Sequence, residues 1–374
     1  MTSKPQFVGE RQSLENRVEY VRGVTYKAAV DLHGELDENS YVLLRANNIQ
    51  DGELIFDDVQ YVDRSKVKPK QLLRYGDILF CASSGSKGLV GKAALVRETM
   101  PVTFGAFCCV LRPKGNEAEY LGHYFQSRQY RRAIEEVCSG SNINNLKAAN
   151  FLSLVVPHYD GDSTRAISVL FDLIDAQVQQ AKNQIKQLDS LVKSRFVEMF
   201  GDPVTAVSGV TLGVVANMKA GKTTTAKTIH DVYAPGLYPC YGGNGLRGYS
   251  AEPTHEGVFP LIGRQGALCG NVQIAHGIFR ATEHAVIVDC KTSCEPVWLF
   301  HYLKYDDLGR LATGAAQPGL SVKDLKLVPV QLPSKDRQVD FISFAAQVDK
   351  SRFVDLGSER NEVLSILDVV AYIC

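Results

Sequence analysis

Apolar residues recur at helical spacing along one stretch of the chain: Ile167, Leu170, Phe171, Ile174, Val178, Ala181, Ile185, Leu188, Val192 and Met199. From Ile174 the steps alternate four and three, which is the seam of a helix that packs lengthwise against another. Asp162 or Ser163 is placed to cap its start. Phe200-Gly201-Asp202-Pro203 ends it, because glycine takes the left-handed cap and proline cannot continue. A run of about 35 residues makes a rod of roughly 50 Å. A second run, Phe341, Phe344, Val348, Leu356, Val363, Leu367 and Val370, predicts another long helix, its seam interrupted by Arg352 and Glu359.

Elsewhere the apolar runs are short and bounded by glycine, the pattern of strands. Tyr41-Val42-Leu43-Leu44-Arg45 runs into Ala46-Asn47-Asn48, and Gly76-Asp77-Ile78-Leu79-Phe80 leads to Ser83-Ser84-Gly85-Ser86-Lys87-Gly88. Val90 to Val96 again reads as a strand. Further on, Tyr241 to Tyr249 reads as a glycine-rich loop, and Val258 to Ile262 leads to Gly263-Arg264-Gln265-Gly266. Glycine lets backbone approach a phosphate closely, while Asn, Gln, Arg and Lys are the usual readers of base edges. Any one of these loops read alone is equally a hairpin turn. The candidate base-reading residues are Asn47, Ser84, Ser86, Lys87, Tyr241, Asn244, Arg247, Arg264 and Gln265.

The chain also repeats itself. Ser139-Gly140, Leu146 and Asn150-Phe151 match Thr313-Gly314, Leu320 and Asp324-Leu325 at one constant offset, which carries on to Asp175 and Asp349. Upstream, Glu119 to Phe125 resembles Val297 to Leu303, placing His123 opposite His301. Each copy holds an apolar strand, a Tyr/His-rich helix, a Gly turn, a second strand near proline and a long helix. The fold class expected is α+β (mixed α/β): two globular domains, 1–158 and 204–334, joined by two long antiparallel helices, 159–203 and 335–374.

Composition narrows the function. Lys+Arg 41 balances Asp+Glu 41, which excludes a polybasic protein. The two globular segments each lean slightly basic and the two helical segments slightly acidic, a direction that suits polyanion binding by the globular parts. No apolar run reaches the ~18 residues of a membrane span, and Met1 to Tyr20 holds no apolar signal stretch. Nine scattered cysteines, with Cys108 and Cys109 adjacent in one apolar run, suit a reduced, cytoplasmic protein. Ala216 to Thr223 reads A-x-x-x-x-G-K-T and, with the acidic strand Ala285 to Asp289, offers a rival reading as a nucleotide triphosphatase. That motif needs a helix after it, and Thr224-Thr225-Ala226-Lys227-Thr228-Ile229 is a poor helix start. A scaffold with no DNA role is the second alternative. Cys290 and Cys294 lack metal-ligand spacing. The chain holds no motif for adenine methylation, no S-adenosylmethionine loop and no nuclease carboxylate cluster.

Taken in order, these motifs resemble the specificity (S) subunit of type I restriction-modification systems. The residues that carry the likeness are Val24-Thr25-Tyr26, Leu44 to Ile49, Gly76 to Leu79, Ser84 to Lys87 with Leu89 to Lys92, Ser141 to Leu146, and the helix ending Phe196 to Pro203. The resemblance implies two target-recognition domains, each reading half of a bipartite site on double-stranded DNA. It implies a coiled-coil helix pair that fixes the spacer, and no catalysis or cofactor of the subunit's own. The implied partners are methyltransferase (M) subunits using S-adenosylmethionine and restriction (R) subunits using ATP and Mg. The interrupted second seam departs from the family pattern.

Overall fold

The computed structural model describes residues 9–139, 145–266, 268–314 and 318–350, without the side chains of Lys87 and Ser139. The turn at Gly140, the run Ser141-Asn142-Ile143-Asn144 and the second seam beyond Lys350 lie outside the described residues. The chain divides into two compact units, one ending at Gln179 and the other beginning at Gln180.

The first unit contains β1 (Glu10–Ser13), β2 (Val18–Arg22), β3 (Ser40–Leu44), β4 (Gln60–Asp63), β5 (Ile78–Cys81), β6 (Ala93–Leu95), β7 (Val102–Phe104) and β8 (Cys108–Pro113). Helices α1 (Ala118–Tyr124), α2 (Arg128–Ser139) and α3 (Ala148–Leu152) follow, then β9 (Val155–His158), which pairs with β1. One sheet has the order β2-β8-β5-β6. In a second, β3 lies between β7, parallel to it, and β4, antiparallel to it. Strand alternation sorts side chains to two faces. Ile78, Phe80 and Cys109 point into a cluster with Tyr120, Leu121, Tyr130 and Phe151 from the helices. Leu79, Cys81 and Cys108 join Leu44, Val102 and Phe104 of the second sheet. The adjacent cysteines thus serve two different cores, and both thiols are buried.

Helix α4 runs from Gly161 to Phe200, and the division between the units falls within it. Its start differs from expectation. Neither Asp162 nor Ser163 caps it; the Asp160 carboxylate accepts from their backbone N–H groups at 3.1 and 2.9 Å. Its end is as read, with Gly201 at φ +81.

The second unit contains α5 (Leu212–Val215), β10 (Ala216–Ala220), β11 (Tyr238–Gly242), β12 (Gly245–Ser250), β13 (His255–Gly263), β14 (Val272–Ala281) and β15 (Ala285–Cys290). Helices α6 (Pro296–Tyr305) and α7 (Val322–Leu325) precede α8, helical over 335–350. Its sheet has the order β10-β15-β13-β14-β11-β12. That order repeats the first unit with every strand direction kept: β10-β15-β13-β14 matches β2-β8-β5-β6, and β14-β11-β12 matches β7-β3-β4. In the second unit the continuous β14 does the work of both β6 and β7. In the first, the stretch Val96 to Pro101 interrupts the strand, and Pro101 has no N–H to give a ladder.

The lower end of α4 is held differently from its predicted seam. Met199 is only partly buried, whereas Phe196, absent from that seam, is fully buried in the second unit's core. Its ring lies 5.0 Å from Phe341 of α8 and 6.1 Å from Trp298 of α6. Arg195 sits over Phe344 and Arg337 over Phe200, so α8 runs past α4 in the opposite sense.

Three further sequence readings change. The stretch Tyr241 to Tyr249 is not an open loop but the hairpin β11–β12. Val90 to Val96 shortens to the strand β6, preceded by a 3-10 turn at Lys87–Leu89. Ala216 to Ala220 is an antiparallel strand on β15, and Gly221-Lys222-Thr223 leads to a 3-10 turn, Ala226–Thr228, not to an α-helix. Without helix N–H groups aimed at it, that run cannot cradle a phosphate, so the phosphate-loop reading is set aside.

Candidate functional site

The repeat extends to single hydrogen bonds. Gly105 N–H donates to the Leu44 carbonyl at 2.9 Å, and Thr282 N–H to the Tyr241 carbonyl at 2.9 Å. Leu146 N–H donates to Ala82 at 2.7 Å, and Leu320 N–H to Arg264 at 2.8 Å. Val24 N–H donates to Phe104, and Lys222 N–H to Ala281. These bonds make Leu44 equivalent to Tyr241, Ala82 to Arg264, Gly105 to Thr282 and Gly23 to Gly221. Both Gly23 and Gly221 are required by close approach. A Cβ on the first would collide with the Gly105 carbonyl, and on the second with the Ala281 and Thr282 carbonyls. Gly221-Lys222-Thr223, the core of the apparent phosphate loop, is therefore the counterpart of Gly23-Val24-Thr25.

The loops that follow these pinned strands enclose a concavity in each unit. In the first it measures about 620 Å³ and is lined by Thr25, Tyr26, Arg45, Asn47, Gln60, Ser84 and Phe107, among others. In the second it measures about 480 Å³ and is lined by Asn244, Leu246, Arg247, Gln265, Leu268 and His284. Three residues on from Leu44 and Tyr241 stand Asn47, in a 3-10 turn, and Asn244, in the two-residue turn between β11 and β12. Counting on from Gly105 and Thr282, Phe107 and His284 are equivalent. Two concavities on one backbone frame arise from two stretches of little sequence identity.

The sequence-predicted residues fare differently. Asn47 is exposed on a 3-10 turn, its amide nitrogen 2.9 Å from Asp58 Oδ2, which also pairs with Arg45 at 2.9 Å. The turn is held by buried Asn48, whose side chain accepts from Arg45 N–H and donates to the Ile55 and Asp58 carbonyls. Ser84 lines the first concavity and its hydroxyl accepts from Ser86 N–H at 3.2 Å. Ser86 is exposed, and Lys87 opens the adjoining 3-10 turn. Asn244 and Arg247 are exposed in the hairpin. Gln265 Oε1 accepts from His284 Nδ1 at 3.0 Å. Arg264 is half-buried, with Nε buried and unpaired. Tyr241 stands apart: it is a strand residue whose ring packs edge-on against Phe279 at 5.7 Å, and burial holds its hydroxyl above the usual value.

Sequence reading missed Tyr26, Gln60, Phe107 and His284. Phe107 sits in an apolar stretch and reads as core, yet it is 70% exposed at the β7–β8 turn. The one available signal was the small pair Gly105-Ala106 that breaks the strand. Neither histidine of the repeated helices touches this region: His123 lies 3.0 Å from Asp172 of α4, and His301 lies 3.2 Å from the Tyr305 hydroxyl. Among the described residues no cluster of His, Cys, Asp or Glu is placed to hold a metal ion, and no helix is long and apolar enough to cross a membrane.

No protein-family model matches the chain. It is similar to the specificity subunit of the type I restriction enzyme EcoprrI of Escherichia coli, 46% identical over 141 residues, or 37% of this chain and 34% of that one. The specificity subunit of StySPI from Salmonella potsdam is 37% identical over 174 residues, or 46% of this chain and 37% of that one. That of EcoKI from Escherichia coli K12 is 32% identical over 254 residues, or 67% of this chain and 52% of that one. The chain thus spans about a third to a half of the curated relatives it matches. Its fold is similar to that of a type I restriction-modification S subunit from M. genitalium, with TM-score 0.52, 17% identity, and coverage of 100% of this chain and 98% of that one.

Proposed function

The chain is a relative of the specificity subunits of type I restriction enzymes, and we propose that it is the DNA sequence-specificity subunit of such a complex. The observation that carries the proposal is the pair of concavities at corresponding places in the two units, the first walled by amide, hydroxyl, cationic and aromatic side chains and the second by amide, cationic, imidazole and aliphatic ones. Each unit reads one half of a bipartite site through base edges in the major groove. Helix α4, forty residues and roughly 60 Å, outreaches one DNA turn of ~34 Å. With α8 antiparallel to its lower end, α4 belongs to a coiled coil that sets the unread spacer and docks the methyltransferase subunits. The subunit is non-catalytic and works in the cytoplasm. S-adenosylmethionine belongs to the M subunits; ATP and Mg belong to the R subunits.

Zero net charge implies that few phosphates are neutralised, so the chain binds DNA weakly alone and needs its partners to close around the duplex. The test is a gel shift with the purified methyltransferase subunit, run over a salt series on specific and scrambled duplexes. Selective, salt-dependent binding is expected. Equal affinity for both duplexes sinks recognition and leaves a scaffold. Exchanging residues 204–334 with a relative's segment should change one half-sequence only. One heptad added near Ala181 should lengthen the spacer and leave both half-sequences unchanged.

A further inference from the structure

The two concavities share a backbone frame but not a chemistry. The turn bearing Phe107 is pinned by its own carbonyl, which accepts from Ala82 N–H at 2.9 Å and Ser83 N–H at 3.0 Å. The turn bearing His284 is pinned the same way, its carbonyl accepting from Arg264 N–H at 3.0 Å. Each unit therefore holds one planar ring at one fixed place on the wall of its concavity. Isolated exposed apolar residues are common on protein surfaces. Phe107 differs because its backbone is anchored and its ring shares a concavity with exposed Asn47.

The polar groups around the rings are sorted by sign. In the first unit, Asp58 Oδ2 accepts from both Arg45 Nη2 and Asn47 Nδ2 at 2.9 Å. The cation is neutralised and the amide's donor end is spent, which leaves Asn47 Oδ1, an acceptor, beside an apolar ring. In the second unit the counterpart of Arg45 is Gly242. There each amide oxygen is already engaged within the protein: Asn244 Oδ1 accepts from Asn271 Nδ2 at 3.0 Å, and Gln265 Oε1 accepts from His284 Nδ1 at 3.0 Å. The Asn244 and Gln265 amide nitrogens and the exposed Arg247 guanidinium remain as donors.

Resting on the DNA-recognition reading, we propose that the first unit reads an A·T pair, with Phe107 against the thymine methyl and Asn47 Oδ1 accepting from adenine N6. The second unit reads a guanine, with Gln265 and Arg247 donating to N7 and O6. The major groove supports this assignment: thymine alone carries a methyl group, adenine N6 donates, and guanine presents two acceptors side by side.

The test uses the full chain with its methyltransferase subunit. Selection from a random duplex library first defines both half-sequences. Thymine is then replaced by uracil at each position of one half at a time, which removes only the methyl group. Wild type should lose about fourfold in affinity at one position of the first unit's half, the effect of burying one methyl group. Phe107→Ala should show no further loss at that position, and Phe107→Leu should restore part of it. In the other half, 7-deazaguanine at the read position should cost wild type roughly five- to tenfold, and Gln265→Ala should erase that difference whereas Arg247→Ala, which acts at O6, should leave it in place. If uracil is tolerated everywhere by a wild type that still selects its site, or if the uracil loss persists in Phe107→Ala, the assignment is wrong. A wild type with no sequence preference overturns the recognition reading itself, and this assignment with it.

Discussion

Replacing Phe196 with alanine tests the contact between α4 and α8 directly. Phe196 is fully buried. Its ring sits 5.0 Å from Phe200 and from Phe341, 5.4 Å from Tyr305, and 6.1 Å from Trp298 and Tyr302. Burying about 150–200 Å² of ring at about 25 cal/mol/Å² gives ~4 kcal/mol, within the usual range of about 3–5 for Phe→Ala in a core. Five aromatic neighbours cannot all collapse into the gap, so the loss should stand near the top of that range. The chain has one tryptophan, Trp298, and it lies in the second unit, so its fluorescence reports that unit's unfolding and not the first's. At a urea slope of ~2 kcal/mol/M, the midpoint should fall by about 2 M. Met199→Ala, at the partly buried position favoured by the sequence seam, should cost about 1 kcal/mol. An unmoved Trp298 transition in Phe196→Ala, or an equal shift in Met199→Ala, refutes this account of how the helices are held.

Gly221→Ala should lower the second unit's thermal midpoint by an amount worth about 2–4 kcal/mol, because the new Cβ meets the Ala281 and Thr282 carbonyls, whereas Gly34→Ala has nothing within 4 Å to meet and should be silent. Lys222→Ala should leave calorimetric titration with ATP unchanged; saturable wild-type binding that this variant loses would revive the phosphate loop. Burial pushes the Asp306 carboxyl up to about 6, and Arg310, 2.7 Å from Oδ1, offsets only part of that. A folded value above the unfolded ~3.9 means its contribution is fully present below about pH 4 and lost as pH rises through about 6. The stability of wild type relative to Asp306→Asn should therefore fall between those pH values, read from Trp298 urea midpoints; a difference flat across that window counts against it.

The helix α4 and its Gly201 stop were readable in the sequence because helical period and a glycine–proline stop are set by residues close together in the chain. The duplication was readable in part, through Leu146 and Leu320, where the offset is constant. Insertions erased it elsewhere. Phe196 escaped because its burial comes from α6 and α8, more than a hundred residues away. Asp160 escaped as the cap because three side chains within four residues, Asp160, Asp162 and Ser163, could all serve, and only backbone geometry chose among them.

Asn47 and Asn244 could both be picked from the sequence as polar loop residues, but nothing local said that the strands carrying them, ending in Leu44 and Tyr241, are counterparts in two copies. The equivalence of those strands is set by pairing between segments dozens of residues apart, such as Leu44 with Gly105 and Tyr241 with Thr282. Phe107 shows the same division more sharply. Its apolar side chain reads as core in any one-dimensional pattern, and it is left in solvent because the β7–β8 turn is clamped by the backbone of residues 82 and 83. Residue chemistry and helical period are properties of the chain itself. Which side chains share a wall, and which amide ends are already spent, depend on partners that folding alone brings within hydrogen-bond reach.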